Sequence, residues 1–299
     1  MGTRPGRREG THAVPTTIQY RFEPSRPLPR RHAFYPVPLP GKRFRERVFQ
    51  ALPQVRDLSG WLRRWPENPE QRARYAESIF RRVAPRYDTL TRALSFNQDA
   101  RWKEQLAREA KDAGESARVL DLATGTAALP LLMREAGHTG PIVGLDRSAE
   151  MLVLARRKCA GVERVRFLRG DLGRLPFADG SFDAVTIGYG LRYPPDLPSF
   201  LSDVLRLLRP NGRFLSLDFG LPASPVFRSI ALGYLLAAGA FWGLALHGRP
   251  GTYVHIVESL RAYPGQRAIA ALMNEAGFAD ISYEEHLGGI AVLIRGRKP

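Results

Sequence analysis

The chain has 299 residues, 44% of them apolar, with a formal net charge of +16 and one cysteine. That length holds one large domain with an appendage, or two small domains. The single Cys159 excludes an internal disulfide and a cysteine-only metal site, and the charge points to an anionic partner such as lipid, nucleic acid or an acidic protein.

Residues 1–50 hold 11 Arg and Lys against 3 acids, and 8 of the 24 prolines. Prolines from Pro24 to Pro40 forbid a long helix or a central strand. Residues 1–69 are therefore expected to form a basic, largely irregular extension, with the folded domain at 70–299. The extension reads as a solvated leader or as an arm for anionic membrane or nucleic acid. No apolar h-region follows the start, so the expected location is the cytoplasm, with peripheral membrane contact. Trp61 and Trp65 would share a face if residues 44–64 are helical.

Residues 70–84 are predicted as a helix ending before Pro85. Tyr87 and Asp88 open a turn region, and a second helix runs over 98–113 to the stop at Gly114. Helices ahead of a first strand often cover a ligand.

Val119, Leu120, Asp121 and Leu122 read as a short buried strand, Thr124-Gly125-Thr126 as a tight turn, and 127–133 as helix. Strand, glycine turn, helix is the opening unit of a nucleotide-binding α/β sheet. A single glycine is a weak signal, but two acids strengthen it. Asp146 ends the next predicted strand, 141–145, at the distance expected of a carboxylate that grips a ribose diol. Asp171, with Leu172 beside it, ends a third strand over 167–170 and is suited to an adenine amino group and ring. An adenosine ligand without a pyrophosphate follows, and S-adenosylmethionine is the obvious one.

The alternation continues with a helix over 148–158, N-capped by Ser148. A strand over 182–187, a helix over 197–208 and a strand over 213–218 come next. This favours a mainly parallel sheet. Residues 229–246 carry no charged side chain, enough for the lower threshold of a membrane span. Spanning is rejected because strands expected at 281–283 and 290–294 must rejoin the sheet. The segment reads instead as a buried lid helix or one lying shallowly on lipid. A helix over 252–262 sets His255 and Glu258 three apart, and a last helix covers 267–276. No zinc spacing appears, and no metal is expected.

From about Ser78 to Lys298 the chain resembles the quinone-biosynthesis C-methyltransferases, which methylate demethylmenaquinol or a polyprenyl benzoquinol. Tyr87-Asp88, Ser95-Phe96 and Trp102-Lys103 resemble one signature. Val119-Leu120-Asp121-Leu122-Ala123-x-Gly125-Thr126 resembles the glycine motif. Gly190-Leu191-Arg192, Leu208-Arg209-Pro210-x-Gly212-Arg213 and Glu258-Ser259-Leu260 extend the match. The resemblance implies an α/β, Rossmann-like seven-stranded methyltransferase sheet with a helical lid. It implies that Tyr87, Asp121, Gly125, Thr126, Asp146, Asp171 and Leu172 surround S-adenosylmethionine. Departures stand at Thr124, Ala127 and Ala128, where the family usually has Gly, Gly and Asp. Tyr193 replaces the usual Asn, and Asp218 the usual Glu.

Transfer of a sulfonium methyl to a quinol carbon needs alignment and a group to stabilise the quinolate. Arg192 is the candidate for the latter, His255 for the base, and Tyr253 for orientation. Each has a plain structural alternative, a salt bridge for Arg192 and a helix hydrogen bond for His255. Competing classes are a methyltransferase for another aromatic, polyketide or lipid acceptor, and a non-catalytic quinone- or membrane-binding module. Nucleic acid is disfavoured as a substrate, because neither an Asn-Pro-Pro-Tyr motif nor paired cysteines occur.

Overall fold

The computed structural model describes Pro66 and residues 68–299. Nearly all of the expected extension, with Trp61 and Trp65, lies outside the described residues.

Seven strands form one sheet: β1 (Val119–Leu122), β2 (Ile142–Asp146), β3 (Val165–Arg169), β4 (Phe182–Gly188), β5 (Leu208–Phe219), β6 (Ala279–His286) and β7 (Ala291–Arg297). Their order is β3-β2-β1-β4-β5-β7-β6. β1 pairs parallel with β2 and β4, so Val119 lies opposite both Ile142 and Ala184. β7 is antiparallel to both of its neighbours. The expected seven-stranded, mainly parallel sheet is the one observed.

Helices cover both faces, which is why β1 is buried at all four positions. Leu120 and Leu122 pack on one face with Val185, Phe200 and Ile269. Val119 points to the other, with Leu106, Leu129 and Met133.

Three helices precede the sheet: α1 (Pro69–Val83), α2 (Tyr87–Leu94) and α3 (Gln98–Lys111). Asn68 caps α1, its side chain accepting from the backbone N of Glu70 at 2.9 Å and of Gln71 at 3.2 Å. The first helix ends at Val83, before Pro85 as expected, but Tyr87 and Asp88, expected to open a turn region, begin a helix instead. Pro85 sits in the first turn of a short 3-10 segment, Ala84–Arg86, where a missing N–H costs nothing, and Tyr87 continues as helix. The crossover helices are α4 (Ala128–Glu135), α5 (Ala149–Lys158) and α6 (Leu197–Leu207).

The charge-free stretch lies in α7 (Pro225–His247), which Gly248 ends at φ 67°. Leu235 of α7 packs with Leu90 and Leu94 of α2 and with Ile256 and Val257 of α8 (Val254–Arg261). α7 thus roofs α2 and α8, and the chain then re-enters the sheet through α9 (Gln266–Ala276), β6 and β7.

Candidate active site

A cavity of about 240 Å³ opens where β1 and β4 end, the point at which strand order reverses. Its floor is the turn after β1, where Ala123, Gly125 and Ala127 have φ of 50°, 55° and 66°. A Cβ built on Gly125 would meet only the Ala123 carbonyl, at 3.9 Å, so the space above this turn is left to a ligand. Gly125 N–H donates to Asp146 Oδ2 at 2.8 Å, and Ser148 N–H donates to Oδ1 at 2.8 Å. Burial raises the Asp146 carboxyl pKa against these two hydrogen bonds. Asp171 lines the same cavity with Leu172. Its Oδ1 accepts from Gly173 N–H at 2.8 Å, and Arg147 pairs with Oδ2.

The outer wall is α1, which contributes Ala73, Ala76, Glu77 and Phe80. Glu77 accepts from Arg147 Nε at 3.2 Å and from Arg169 at 3.1 Å, clamping the helix over the ends of β2 and β3.

A second chamber of about 40 Å³ adjoins the first, and Phe80, Tyr87, Tyr189 and Tyr193 line both. Arg192, Tyr253, His255 and Phe219 complete much of its wall. Arg192 is buried. Its Nε donates to Asp218 Oδ1 at 2.8 Å, and Nη1 donates to Ser259 Oγ. Asp218 also accepts from the backbone N–H of Leu191 at 3.0 Å and of Phe219 at 2.7 Å. Burial opposes the guanidinium charge, but Asp218 outweighs it and the pKa rises. The guanidinium carbon lies 5.4 Å from the Tyr193 ring centroid and 5.3 Å from that of Phe219, within reach of a cation–π contact.

His255 sits in the same wall, its Nδ1 3.2 Å from the Thr252 carbonyl. Burial and the charge of Arg192 push its pKa down to about 3, so the ring is neutral. A carbonyl only accepts, so Nδ1 carries the proton and Nε2 is the basic nitrogen.

The structure thus brings Tyr87, Gly125, Asp146, Asp171 and Leu172 to the first cavity, and Arg192, Tyr253 and His255 to the second. Two other expected cofactor residues do not line the first cavity. Asp121 lies beneath the floor, and its oxygens accept from Thr124 Oγ1 at 2.6 Å and Thr186 Oγ1 at 2.7 Å. It points into the sheet because residue 121 shares the face of Val119. Thr126 also turns away, donating to Asp88 at 2.7 Å and accepting from Lys158 Nζ at 2.9 Å. Tyr253 reaches the chamber with its ring, while its hydroxyl is engaged with His247 Nε2 at 2.7 Å. Glu77, Phe80 and Tyr189 were not anticipated. Their only sequence signal was membership of a helix ahead of the first strand or of the turn after β4.

The profile of the ubiE/COQ5 methyltransferase family matches residues 68–298. The chain belongs to that family. Its member here is 40% identical over 223 residues to a demethylmenaquinone methyltransferase of Thermus thermophilus, covering 74% of this chain and 100% of that one. It is 37% identical over 224 residues to a ubiquinone/menaquinone biosynthesis C-methyltransferase of Geobacter sulfurreducens, covering 74% and 87%. Among solved structures, an S-adenosylmethionine-dependent methyltransferase of Thermotoga maritima superposes with a TM-score of 0.51 at 17% identity, covering 74% of this chain and 99% of that one. That likeness shows the fold alone.

The protein is an S-adenosylmethionine-dependent methyltransferase, and the first cavity fits that cofactor. It offers an open glycine turn, a carboxylate at the end of β2 and a second carboxylate beside an apolar side chain just after β3. Among the described residues, no group of three His, Cys, Asp or Glu is placed to hold a metal. Two departures of this methyltransferase have local reasons. Thr124 supplies the hydroxyl that binds Asp121. Ala127 stands in the left-handed region, but its methyl is fully buried against Ala155 and Cys159.

Proposed function

We propose that this methyltransferase C-methylates a polyprenylated quinol, such as demethylmenaquinol or a polyprenyl benzoquinol. One observation carries the reading. Beside the cofactor cavity lies an aromatic chamber whose wall includes a single buried cation, Arg192, oriented by Asp218. S-adenosylmethionine, when bound, supplies an electrophilic methyl group. The residues do the rest.

A quinol carbon becomes nucleophilic as its neighbouring hydroxyl loses a proton. Arg192 stabilises the oxygen on which that charge develops, and its orientation is set in advance by Asp218 and Ser259. His255 Nε2 accepts a hydrogen bond from the quinol hydroxyl and orients it. Its low basicity suits passing the hydroxyl proton on to solvent more than holding it. Tyr87, Phe80, Tyr189 and Tyr193 flank the passage between the two chambers and exclude water from it.

Tyr193, in place of the family's usual Asn, favours a second reading in which the acceptor is another aromatic, polyketide or lipid head group. We further propose that residues 1–69 are an extension appended to the catalytic domain at 70–299. The enzyme then works in the cytoplasm, in peripheral contact with an anionic membrane. The basic composition supports this.

The test is activity on a panel of reduced quinols and other aromatic acceptors, with product mass read by mass spectrometry. Methylation of a demethylated quinol at carbon supports the proposal. Turnover confined to other acceptors overturns it.

A further inference from the structure

The first turns of α3 bury an ion pair that lines neither of the two cavities. Lys103 Nζ donates to Asp99 Oδ2 at 2.8 Å, one helical turn away, and the two side chains are 9% and 4% exposed. Ser95, in the wall of the second chamber, holds the start of this turn: its Oγ accepts from the Asp99 backbone N–H at 3.1 Å. A buried pair is a weak stabiliser, because both charges give up their hydration to form it. Its place directly behind the chamber wall points to another use.

The pair faces Tyr189, whose ring lines both cavities. Lys103 Nζ lies 5.4 Å from the centroid of that ring, within cation–π reach. Asp99 Oδ1 is buried with no hydrogen bond of good geometry. The carboxylate is still close enough to act on the Tyr189 hydroxyl. Burial first, then the charge of Asp99 and a hydrogen bond with it, raise that hydroxyl well above its ordinary pKa. Asp99 also acts on Tyr87 at the same passage, where burial and Tyr193 raise the pKa more.

Tyr189 is itself held in a costly conformation. Its φ of 59° is in the left-handed region, which is unfavourable for a bulky aromatic residue. Its N–H donates to the Leu217 carbonyl at 2.6 Å, and its ring lies 5.3 Å from that of Phe219. The next residue presses on the cofactor turn, since a Cβ on Gly190 would come within 2.7 Å of Ala123 Cβ. Such a backbone persists only where its surroundings over-determine it, and such residues cluster at functional sites. Here β5 and the glycine turn hold the backbone, and the buried pair holds the ring face and the hydroxyl.

We propose that Asp99 and Lys103 are positioning residues for methyl transfer. From behind the wall they fix the Tyr189 ring at the passage between the cavities, and the ring sets the line from the cofactor's methyl to the acceptor carbon. Along that line the electron pair of the acceptor carbon forms the new C–C bond, while the C–S pair returns to sulfur. In-line displacement is sensitive to misplacement by as little as an ångström, so a rigid ring at this point has a use that packing alone does not require. Neither Asp99 nor Lys103 exchanges a proton with the acceptor. That the acceptor occupies the second chamber rests on the proposed function; the grip of the pair on Tyr189 does not.

The test uses full-length variants. Tyr189→Phe loses only the hydroxyl. Asp99→Leu/Lys103→Met replaces the pair by apolar groups and leaves no buried charge, a change that buried pairs often tolerate. A third variant combines all three substitutions. Turnover of a short-chain demethylated quinol is expected to fall roughly tenfold or more in each, with KM for S-adenosylmethionine within about twofold of wild type. The combined variant should be no slower than the pair variant, because the pair acts through Tyr189. Losses that multiply in the combined variant overturn the proposal, as does unchanged turnover in Tyr189→Phe. A second readout needs no acceptor. S-adenosylmethionine and S-adenosylhomocysteine differ only in the methyl and its charge, so a displaced Tyr189 should change the ratio of their affinities, read by calorimetry, by roughly threefold or more. Affinities that move together, or not at all, mark the pair as structural and overturn the proposal. Failure of wild type on every quinol sinks the functional reading and leaves this ratio to decide the positioning role.

Discussion

Thr126 donates its hydroxyl hydrogen to Asp88 across 2.7 Å, and Lys158 pairs with the same carboxylate. A residue of the glycine turn is thereby tied to the first turn of α2 and the last turn of α5. Burial alone would raise the Asp88 carboxyl pKa; Lys158 and Thr126 outweigh it and hold the group below its usual range. The glycine turn at the cavity floor and α2, whose Tyr87 lines both cavities, are therefore coupled.

Thr126→Val should uncouple them. Loss of one hydrogen bond to a charged acceptor costs about 1.5–3 kcal/mol, read as a lower urea midpoint. Cofactor affinity by calorimetry should weaken with it, while Thr126→Ser restores both. Unchanged affinity in the valine variant would separate the lid from the turn.

Glu77→Gln removes the carboxylate charge that α1 sets against Arg147 and Arg169. Both arginines are partly exposed, so screening limits the loss to about 1 kcal/mol. The expected result is roughly fivefold weaker cofactor binding and faster proteolysis within residues 68–83, with the thermal midpoint nearly unchanged.

Asp146→Ala leaves the N–H groups of Gly125 and Ser148 without their acceptor and takes a carboxylate from the cavity. Affinity for S-adenosylmethionine should fall by about 1–3 kcal/mol, measured by calorimetry with chelator present. Equal binding in wild type and variant would remove Asp146 from the site.

Arg192→Lys keeps a cation but not the fork that meets Asp218 and Ser259 together. Turnover should drop by roughly tenfold or more, with cofactor affinity within twofold of wild type. A fall in cofactor affinity of the same size would mark Arg192 as a structural ion pair.

Asp121 has the opposite pH signature from the buried histidines. Burial raises its carboxyl to about 7, against the hydrogen bonds of Thr124 and Thr186. In the unfolded chain it titrates near 3.9. Its contribution to stability is therefore full below about pH 4 and lost as pH rises through about 7. Burial, aided by neighbouring arginines, lowers His255 to about 3 and His138 to about 4, and both are near 6.5 when unfolded. Their loss comes as pH falls below about 6.5, because the unfolded chain takes up protons the native state refuses. Asp121→Asn should then gain stability relative to wild type on going from about pH 5 to about pH 8, measured by urea denaturation. A difference that does not change with pH would mean that Asp121 ionises normally.

The order of strands and helices from residue 118 onward was legible in the chain. A buried parallel strand must be apolar on both faces, and the helices between strands carry their own stripe and caps, as Ser148 does. The glycine turn and the acids at the ends of β2 and β3 were legible for the same reason: a strand end and the turn after it are local in sequence. What the side chains face was not. Asp121 and Asp146 both belong to strands ending at the same edge, yet one points into the sheet toward Thr186 and the other into the cavity. That choice is set by register against β4 and β2. The clamp from Glu77 to Arg147 and Arg169, and the tie from Thr126 to Asp88, join residues 38 to 92 apart. Pairs of that kind are created only when the helices fold back over the sheet. The charge-free run at 229–246 showed that some of α7 must avoid water. Which of its faces meets the domain was decided by Gly239 and Gly243, which let the helix close onto Tyr253 and Arg249 and leave Ile230 and Phe241 outside.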